Sequence, residues 1–176
     1  MVKLKDYGMI KYVGVSNFTV KKLQWLLEED EKPDNNQVEL HPYLPQNELI
    51  KFCRDHRIEV TAHSPLGSSN TGLSIVDTTT YKTPKILFDP LICQIAKSHN
   101  VTPAQVLLKW NISRECPVLV KSSDEGRMKE NLESLKINLN ENDMESISKI
   151  SVKHRYMRLK KMLPPGMRHD DPFDGE

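Results

Sequence analysis

Short apolar runs alternate along this chain with stretches of helical hydrophobic period, and this alternation limits the possible folds. Candidate strands lie at 11–15, 37–40 and 58–62, and a helical pattern follows each of the first two. The interval between these strands is about the length of one βα unit, which indicates parallel pairing. The sequence therefore predicts an α/β protein.

The rhythm is interrupted at 69–89, which is polar, rich in threonine and without a clear period. We interpret it as a long surface loop, and loops of this length are usually functional or disordered. Asp89-Pro90 and Thr102-Pro103 are helix-start signals, because each pairs a capping side chain with a proline at the first helical position. A last helical pattern ends near 150. We assign 1–150 to one domain and 151–176 to a tail, which fits an irregular arm or a frayed terminus.

The stretch 117–131 combines a strand end with a helix start. The apolar run 118–120 predicts a strand buried on both faces, and Asp124 can cap a following helix. Lys121, Ser122 and Arg127 then lie near the electropositive helix N-terminus, a combination that suits a phosphate group. An ordinary βα turn with a solvated basic face is equally compatible with this stretch.

Composition excludes several function classes. Lys and Arg number 25 against 24 Asp and Glu, so no overall field attracts nucleic acid or a membrane. The three cysteines form no C-x-x-C pair, which indicates reduced thiols and neither a disulfide frame nor a metal site. No apolar run reaches membrane-spanning length, and the first residues are too charged for a signal peptide. We expect a cytoplasmic protein.

Polar side chains follow each of the four candidate strands, at the edge of a parallel sheet where ligands bind. These side chains are Ser16 and Asn17, Gln37, His63 and Ser64, and Lys121 and Ser122.

Along nearly its whole length the chain resembles the aldo-keto reductases, which are (β/α)8 barrels that use NADPH to reduce carbonyls. The motifs that carry the resemblance are G-V-S-N-F at 14–18, N-Q-V-E at 36–39, H-P-Y at 41–43, S-P-L-G-S at 64–68, T-P-A-Q-V-L-L at 102–108, K-S-S-D-E-G-R-M-K-E-N at 121–131 and D-P-F at 171–173. The resemblance implies the second half of a (β/α)8 TIM barrel, with about four parallel βα units and an irregular C-terminal arm.

The resemblance also implies a site for NADPH or NADP⁺. At the nicotinamide end, Ser16, Asn17 and Gln37 would bind the carboxamide. His63 stands where the family usually has a tyrosine that stacks on the ring. An imidazole can still stack, but its positive charge would repel the oxidised cofactor, so we expect weaker NADP⁺ binding below about pH 6.

The remaining implied contacts follow the cofactor toward its adenine. Ser64, Leu66 and Ser68 would line the pyrophosphate; Lys121, Ser122 and Arg127 would hold the 2′-phosphate; and Glu130 and Asn131 would lie near the adenine. The phosphate contacts favour NADP over NAD. Val120 is a smaller departure, since a proline more often precedes the lysine in this family.

No residue of this chain matches the family's catalytic tyrosine, lysine, aspartate or histidine, which come from the first half of the barrel. We therefore expect this chain alone not to reduce a small-molecule carbonyl. Four strands of a barrel would also leave two open edges. Three hypotheses follow: half of a reductase; a non-catalytic protein that binds NADP or pairs with a relative through an open edge; and a homodimer in which two halves close one barrel.

Overall fold

A computed structural model describes residues 1–29, 32–67 and 84–157. Within them a four-stranded sheet has the order β1 (Gly14–Ser16), β2 (Asn35–Glu39), β3 (Glu59–His63) and β4 (Val118–Leu119). Every neighbouring pair is parallel. The prediction of four parallel strands in an α/β protein is confirmed.

The helices follow the apolar periods and capping signals of the sequence. They are α1 (Val2–Asp6), α2 (Val20–Glu28), α3 (Asn47–Asp55), α4 (Pro90–Ser98), α5 (Pro103–Ile112), α6 (Glu125–Glu133) and α7 (Glu141–Ser148). The caps expected at Asp89, Thr102 and Asp124 each accept a backbone N–H. Helix α1 was not predicted, since its five residues are too few to show a period. In the described part of the chain, no helix has the length and apolar character needed to span a bilayer.

Two apolar clusters form the core. One joins α2 and α3 to the sheet through Leu23, Cys53, Val38 and Ala62, each nearly or fully buried. The other joins α4, α5 and α7 and includes Tyr156 from beyond the last helix. Burying a large apolar side chain contributes about 1.5–3 kcal/mol, so these clusters hold the helices against the sheet.

Strand β4 departs from the prediction of a strand buried on both faces. Leu119 is 52% exposed, and Val118 and Val120 are only partly buried. The strand has two residues and pairs only with β3, which places it at an edge of the described sheet. A short apolar run does not reveal whether a strand lies at the centre or the edge, and this limit explains the error. Strand β1 forms the other edge.

The interruption and the tail are described only in part. Residues 68–83 and 158–176 lie outside the described residues, so the predicted loop, Ser68 and the D-P-F motif are not placed. At the end of the interruption, Ile86–Phe88 forms a 3₁₀ turn with Ile86 buried. The tail begins as a docked segment, because Tyr156 is buried and its hydroxyl donates to the Pro84 carbonyl at 2.7 Å. Fraying is excluded for this first part of the tail.

Candidate cofactor site

The strand register brings the predicted nicotinamide residues to one edge of the sheet. Ser16 is the register partner of Gln37, and Gln37 is the partner of Thr61, two residues before His63. Parallel strands end at the same edge, so the residues at the ends of β1 and β3 become neighbours there. Gln37 was expected to follow its strand but is the third of the five residues of β2, because the strand continues to Glu39. The strand register could not be predicted from the sequence, although the residues themselves were chosen because they lie near predicted strand ends.

Two backbone turns occur directly after these strands. Asn17 has φ 58° and Ser64 has φ 51°, both in the left-handed region. Asparagine tolerates this region, whereas serine adopts it less often, which makes Ser64 the more unusual position. The backbone N–H of Asn17 donates to the Gln37 carbonyl at 2.9 Å, so the first turn is fixed to the adjoining strand.

The side chains at these turns contact one another. The Asn17 amide lies 3.1 Å from the Ser16 hydroxyl and 3.0 Å from Nε2 of His63, whose Nδ1 lies 3.1 Å from the Ser64 hydroxyl. Among the described residues, the Gln37 side-chain amide has no hydrogen-bond partner. Burial lowers the pKa of His63 below its ordinary value. This lowering would move the expected weakening of NADP⁺ binding to a lower pH.

The end of β4 and the start of α6 carry the predicted phosphate residues. The Asp124 carboxylate caps α6 by accepting the Arg127 N–H at 2.8 Å. Lys121 and Arg127 are exposed, and within the described ranges neither side chain forms an ion pair. Ser122 is used locally, since its hydroxyl accepts the Asp124 N–H. A lysine before a helix and an arginine in its first turn, neither ion-paired within the described residues, are donors of the kind that a phosphate monoester needs.

Glu130 makes a structural contact that the sequence prediction did not include. Its carboxylate accepts the Thr102 hydroxyl at 2.7 Å, and its backbone carbonyl accepts the Gln105 amide at 2.9 Å. These bonds tie α6 to the start of α5. Asn131 is half-buried beside them, and Leu66 packs against the core cluster of α4, α5 and α7.

Glu39 lies fully buried at the end of β2 and was missed by the sequence prediction. Its carboxylate accepts the backbone N–H groups of Tyr156 at 2.6 Å and Met157 at 2.8 Å, and it lies 2.9 Å from Nε2 of His41. Burial acts to raise the pKa of Glu39, but His41 and the two N–H groups outweigh it, so the pKa lies below its ordinary value. The signal in the sequence was an acid between Val38 and Leu40.

Two cavities lie away from the carboxyl ends of β1, β2 and β3. One of about 600 Å³ runs between α5, α6 and β4, and one of about 870 Å³ lies near the starts of β2 and β3. Asn131, predicted to lie near the adenine, lines the first cavity, whereas Ser16, Asn17, Gln37 and His63 line neither of the two. No group of three or more His, Cys, Asp or Glu suited to a metal ion occurs in the described ranges.

Comparison with known proteins gives a family for this arrangement. The sequence model of the Aldo/keto reductase family matches residues 1–152. The chain belongs to this family. Human aldo-keto reductase family 1 member C4 is 37% identical over 180 residues, which is 100% of this chain and 53% of that protein. Prostaglandin F synthase 1 from Bos taurus is 38% identical over 178 residues, which is 99% of this chain and 53% of that protein.

The fold comparison agrees with this membership. The solved structure of the aldose reductase from Schistosoma japonicum matches with a TM-score of 0.78 at 32% identity, over 92% of this chain and 48% of that one. The chain therefore spans about half the length of the relatives that it matches. Its four parallel strands correspond to part of a (β/α)8 barrel.

The side chains present fit an NADP-type cofactor in chemical character. Hydroxyl and amide groups gather near Asn17, and within the described residues the Gln37 side-chain amide has no hydrogen-bond partner. Lys121 and Arg127, which follow β4, form no ion pair in the same part of the chain. A carboxamide needs donors and acceptors, and a 2′-phosphate needs cations. The chemical character of these side chains supports a hypothesis about function.

Proposed function

We propose that this chain forms the NADP(H)-binding half of an aldo-keto reductase that acts on a small-molecule carbonyl. The observation that carries the proposal is the gathering of Ser16, Asn17 and His63 at the ends of β1 and β3, with Gln37 of β2 level with Ser16. When bound, NADPH supplies a hydride for carbonyl reduction. The side chains of this chain would bind the nicotinamide carboxamide and so fix the face of the ring that is presented.

The other end of the site would select the phosphorylated cofactor. Lys121 and Arg127 would hold the 2′-phosphate with Ser122, while Ser64, Leu66 and Ser68 would line the pyrophosphate. Asn131 would lie near the adenine. Glu130 would support this region indirectly, because its carboxylate already accepts the Thr102 hydroxyl.

We propose that the chain by itself binds the cofactor without reducing a carbonyl. The reaction also needs a proton for the developing alkoxide, delivered by a general acid of suitable pKa. No residue here matches the family's catalytic tyrosine or its partners. Mixing this chain with a separately produced first half of a related reductase should restore NADPH-dependent reduction, and turnover by this chain alone would contradict the proposal.

Binding can be tested by titrating the fluorescence of NADPH and NADH with the full chain. Arg127→Ala should weaken NADPH binding by about 10-fold or more and leave NADH binding unchanged, because a charged hydrogen bond contributes about 1.5–3 kcal/mol. Lys121→Ala should act in the same direction. Lys129→Ala is the matched control, since it removes an exposed cation from the same helix. Equal affinity of the wild type for NADPH and NADH would contradict the assignment of the phosphate site.

A second candidate function is self-association, in which a second copy covers the open sheet edges. The observation that favours it is the exposed apolar surface near β4, where Leu119 is 52%, Met128 48% and Leu132 67% exposed. Edge strands and exposed apolar patches promote pairing with another chain. Sedimentation should then give twice the 20.3 kDa mass, and Leu132→Glu should return the monomer. A wild-type monomer at high concentration would exclude this candidate.

We also propose a cytoplasmic location. The cysteines Cys53, Cys93 and Cys116 are all free, and two of them are buried. Burial raises the pKa of the Cys53 thiol to about 11, which keeps it protonated and unreactive. Three reduced thiols are usual in a reducing compartment. Fractionation of source cells with an antibody to this chain would test the location.

A further inference from the structure

Five groups, four at the carboxyl ends of β1 and β3 and one in the adjoining β2, form one continuous line of hydrogen bonds. Oγ of Ser64 lies 3.1 Å from Nδ1 of His63, and Nε2 of His63 lies 3.0 Å from Oδ1 of Asn17. Nδ2 of Asn17 then donates to Oγ of Ser16 at 3.1 Å. The Ser16 hydroxyl donates to the backbone carbonyl of Gln37 at 3.1 Å. We call this line the strand-end relay.

The donor and acceptor of each hydrogen bond in the relay are set by its last bond, from Ser16 to the Gln37 carbonyl. Because the Ser16 hydroxyl donates its proton to a carbonyl, its oxygen accepts from the Asn17 amide nitrogen. The other amide atom of Asn17 is an acceptor, so Nε2 of His63 must carry a proton. Nδ1 is then free to accept from the Ser64 hydroxyl. The relay therefore assigns the neutral Nε2–H tautomer to His63.

The surroundings of His63 favour this neutral form. The ring is partly buried, and burial is the main cause of its lowered pKa. The charged and titratable groups that face it are Glu39 from the neighbouring strand, which raises the pKa, and Arg155 and His41, which lower it. Adding a proton to Nδ1 would also turn the Ser64 hydroxyl from a donor into an acceptor, because both ring nitrogens would then donate.

We propose that His63 is a positioning residue that fixes the Asn17 amide to receive the nicotinamide carboxamide of NADP(H). The inference rests on the proposed function and deepens it. A phenyl or phenol ring at this position presents a flat face but no N–H at the place of Nε2. The His63 ring would therefore stack on the nicotinamide, and its Nε2–H would hold the Asn17 amide that orients the carboxamide.

A double-mutant cycle separates positioning from ring contact. The variants are His63→Phe, Asn17→Ala and the double substitution, with NADPH and adenosine 2′,5′-bisphosphate as the two probes. The bisphosphate carries the 2′-phosphate but no nicotinamide. His63→Phe should weaken NADPH binding about 3- to 10-fold, as expected for the loss of one hydrogen bond. It should leave bisphosphate binding unchanged, which also shows that the variant is folded.

The decisive result is the behaviour of the double variant. If His63 acts through Asn17, the double variant should bind NADPH no more weakly than Asn17→Ala alone. Strictly additive losses would overturn the inference. His56→Phe serves as the control, since His56 is exposed at the end of α3 and its ring stacks on Phe52 of the same helix. A wild-type chain that fails to bind the bisphosphate would instead contradict the proposed function.

Two further readouts do not depend on catalysis. The ¹⁵N shifts of the His63 ring should report a protonated Nε2 and an accepting Nδ1 near neutral pH, and the opposite tautomer would overturn the relay. In the wild type, NADP⁺ affinity should fall relative to NADPH affinity as His63 takes up a proton at acidic pH. His63→Phe should lose this difference between the two forms of the cofactor. Persistence of the difference in that variant would also overturn the inference.

Discussion

The carboxylate of Glu39 accepts the backbone N–H of Tyr156 at 2.6 Å, across 117 residues of sequence. A second N–H, from Met157, binds the other carboxylate oxygen at 2.8 Å. One buried acid at the end of β2 thereby fixes the start of the C-terminal tail. Loss of this contact should weaken the attachment of the tail to β2, while the buried Tyr156 ring and its bond to Pro84 remain.

We expect Glu39→Gln to lower the free energy of unfolding by about 2–4 kcal/mol, because an amide cannot accept both N–H groups and its NH₂ is left buried. Urea unfolding followed by circular dichroism would measure this loss. Glu28→Gln is the control, since Glu28 is exposed on α2 and should change stability little. Equal stability of the two variants would show that the Glu39 contacts contribute nothing.

The contribution of Glu39 should also depend on pH. Its pKa is lowered in the folded chain, so the unfolded chain binds the proton more readily. The stabilisation is then fully present above the ordinary glutamate pKa of about 4.3 and is lost as pH falls through the folded value. The stability difference between wild type and Glu39→Gln should therefore shrink as pH falls below about 4.3. A difference that stays constant with pH would contradict this linkage.

Gly67 and Gly8 form a matched pair of glycines. Both have positive φ, at 70° and 69°. A Cβ on Gly67 would lie 3.0 Å from Ile86 and Tyr156, whereas one on Gly8 would meet nothing within 4 Å. Gly8→Ala should cost about 1 kcal/mol for its backbone alone, and Gly67→Ala about 1–2 kcal/mol more. Thermal unfolding of both variants would measure the difference, and equal losses would show that the neighbours of Gly67 yield without cost.

Tyr43→Phe should destabilise the chain by about 1–3 kcal/mol, because the Tyr43 hydroxyl donates to the buried Asp89 carboxylate at 2.8 Å. Burial and this bond raise the pKa of Tyr43. The stabilisation is thus present below the ordinary tyrosine pKa of about 10 and is lost as pH rises toward the folded value. Tyr12→Phe is the control, since Tyr12 is 75% exposed. Urea midpoints at neutral and alkaline pH would test both parts.

The sequence allowed the fold to be predicted because its local signals agree with one another. Apolar runs marked the strands, and Asp89-Pro90 and Thr102-Pro103 marked two helix starts that the structure confirms. The short β4 was found but its exposure was not, since the burial of Leu119 depends on what lies beside the sheet edge. Edge position is a property of the whole assembly and leaves little trace in a two-residue strand.

The sequence identified polar residues that lie at or near the strand ends, but not the contacts between them. Asn17 and His63 were selected because each follows a strand, yet their 3.0 Å contact depends on strand register and on a left-handed turn. Glu39 was missed because its partners are the backbone N–H groups of Tyr156 and Met157. A backbone donor carries no sequence signature, so a buried acid in an apolar strand is the one visible sign of such a contact.

Helix α6 has no fully buried residue, and its described side-chain ties to α5 lie at Glu130, in its second half. The hydrogen bonds to α5 do not involve the first turn, which carries Arg127. The described side-chain hydrogen bond of that turn is the Asp124 cap. Local opening free energies follow burial and contact density, so the amide protons of this turn should exchange with solvent earlier than those of α5. The first turn of α6, which is proposed to bind a phosphate, is thus also the part of this helix whose amide exchange a bound anion should slow most.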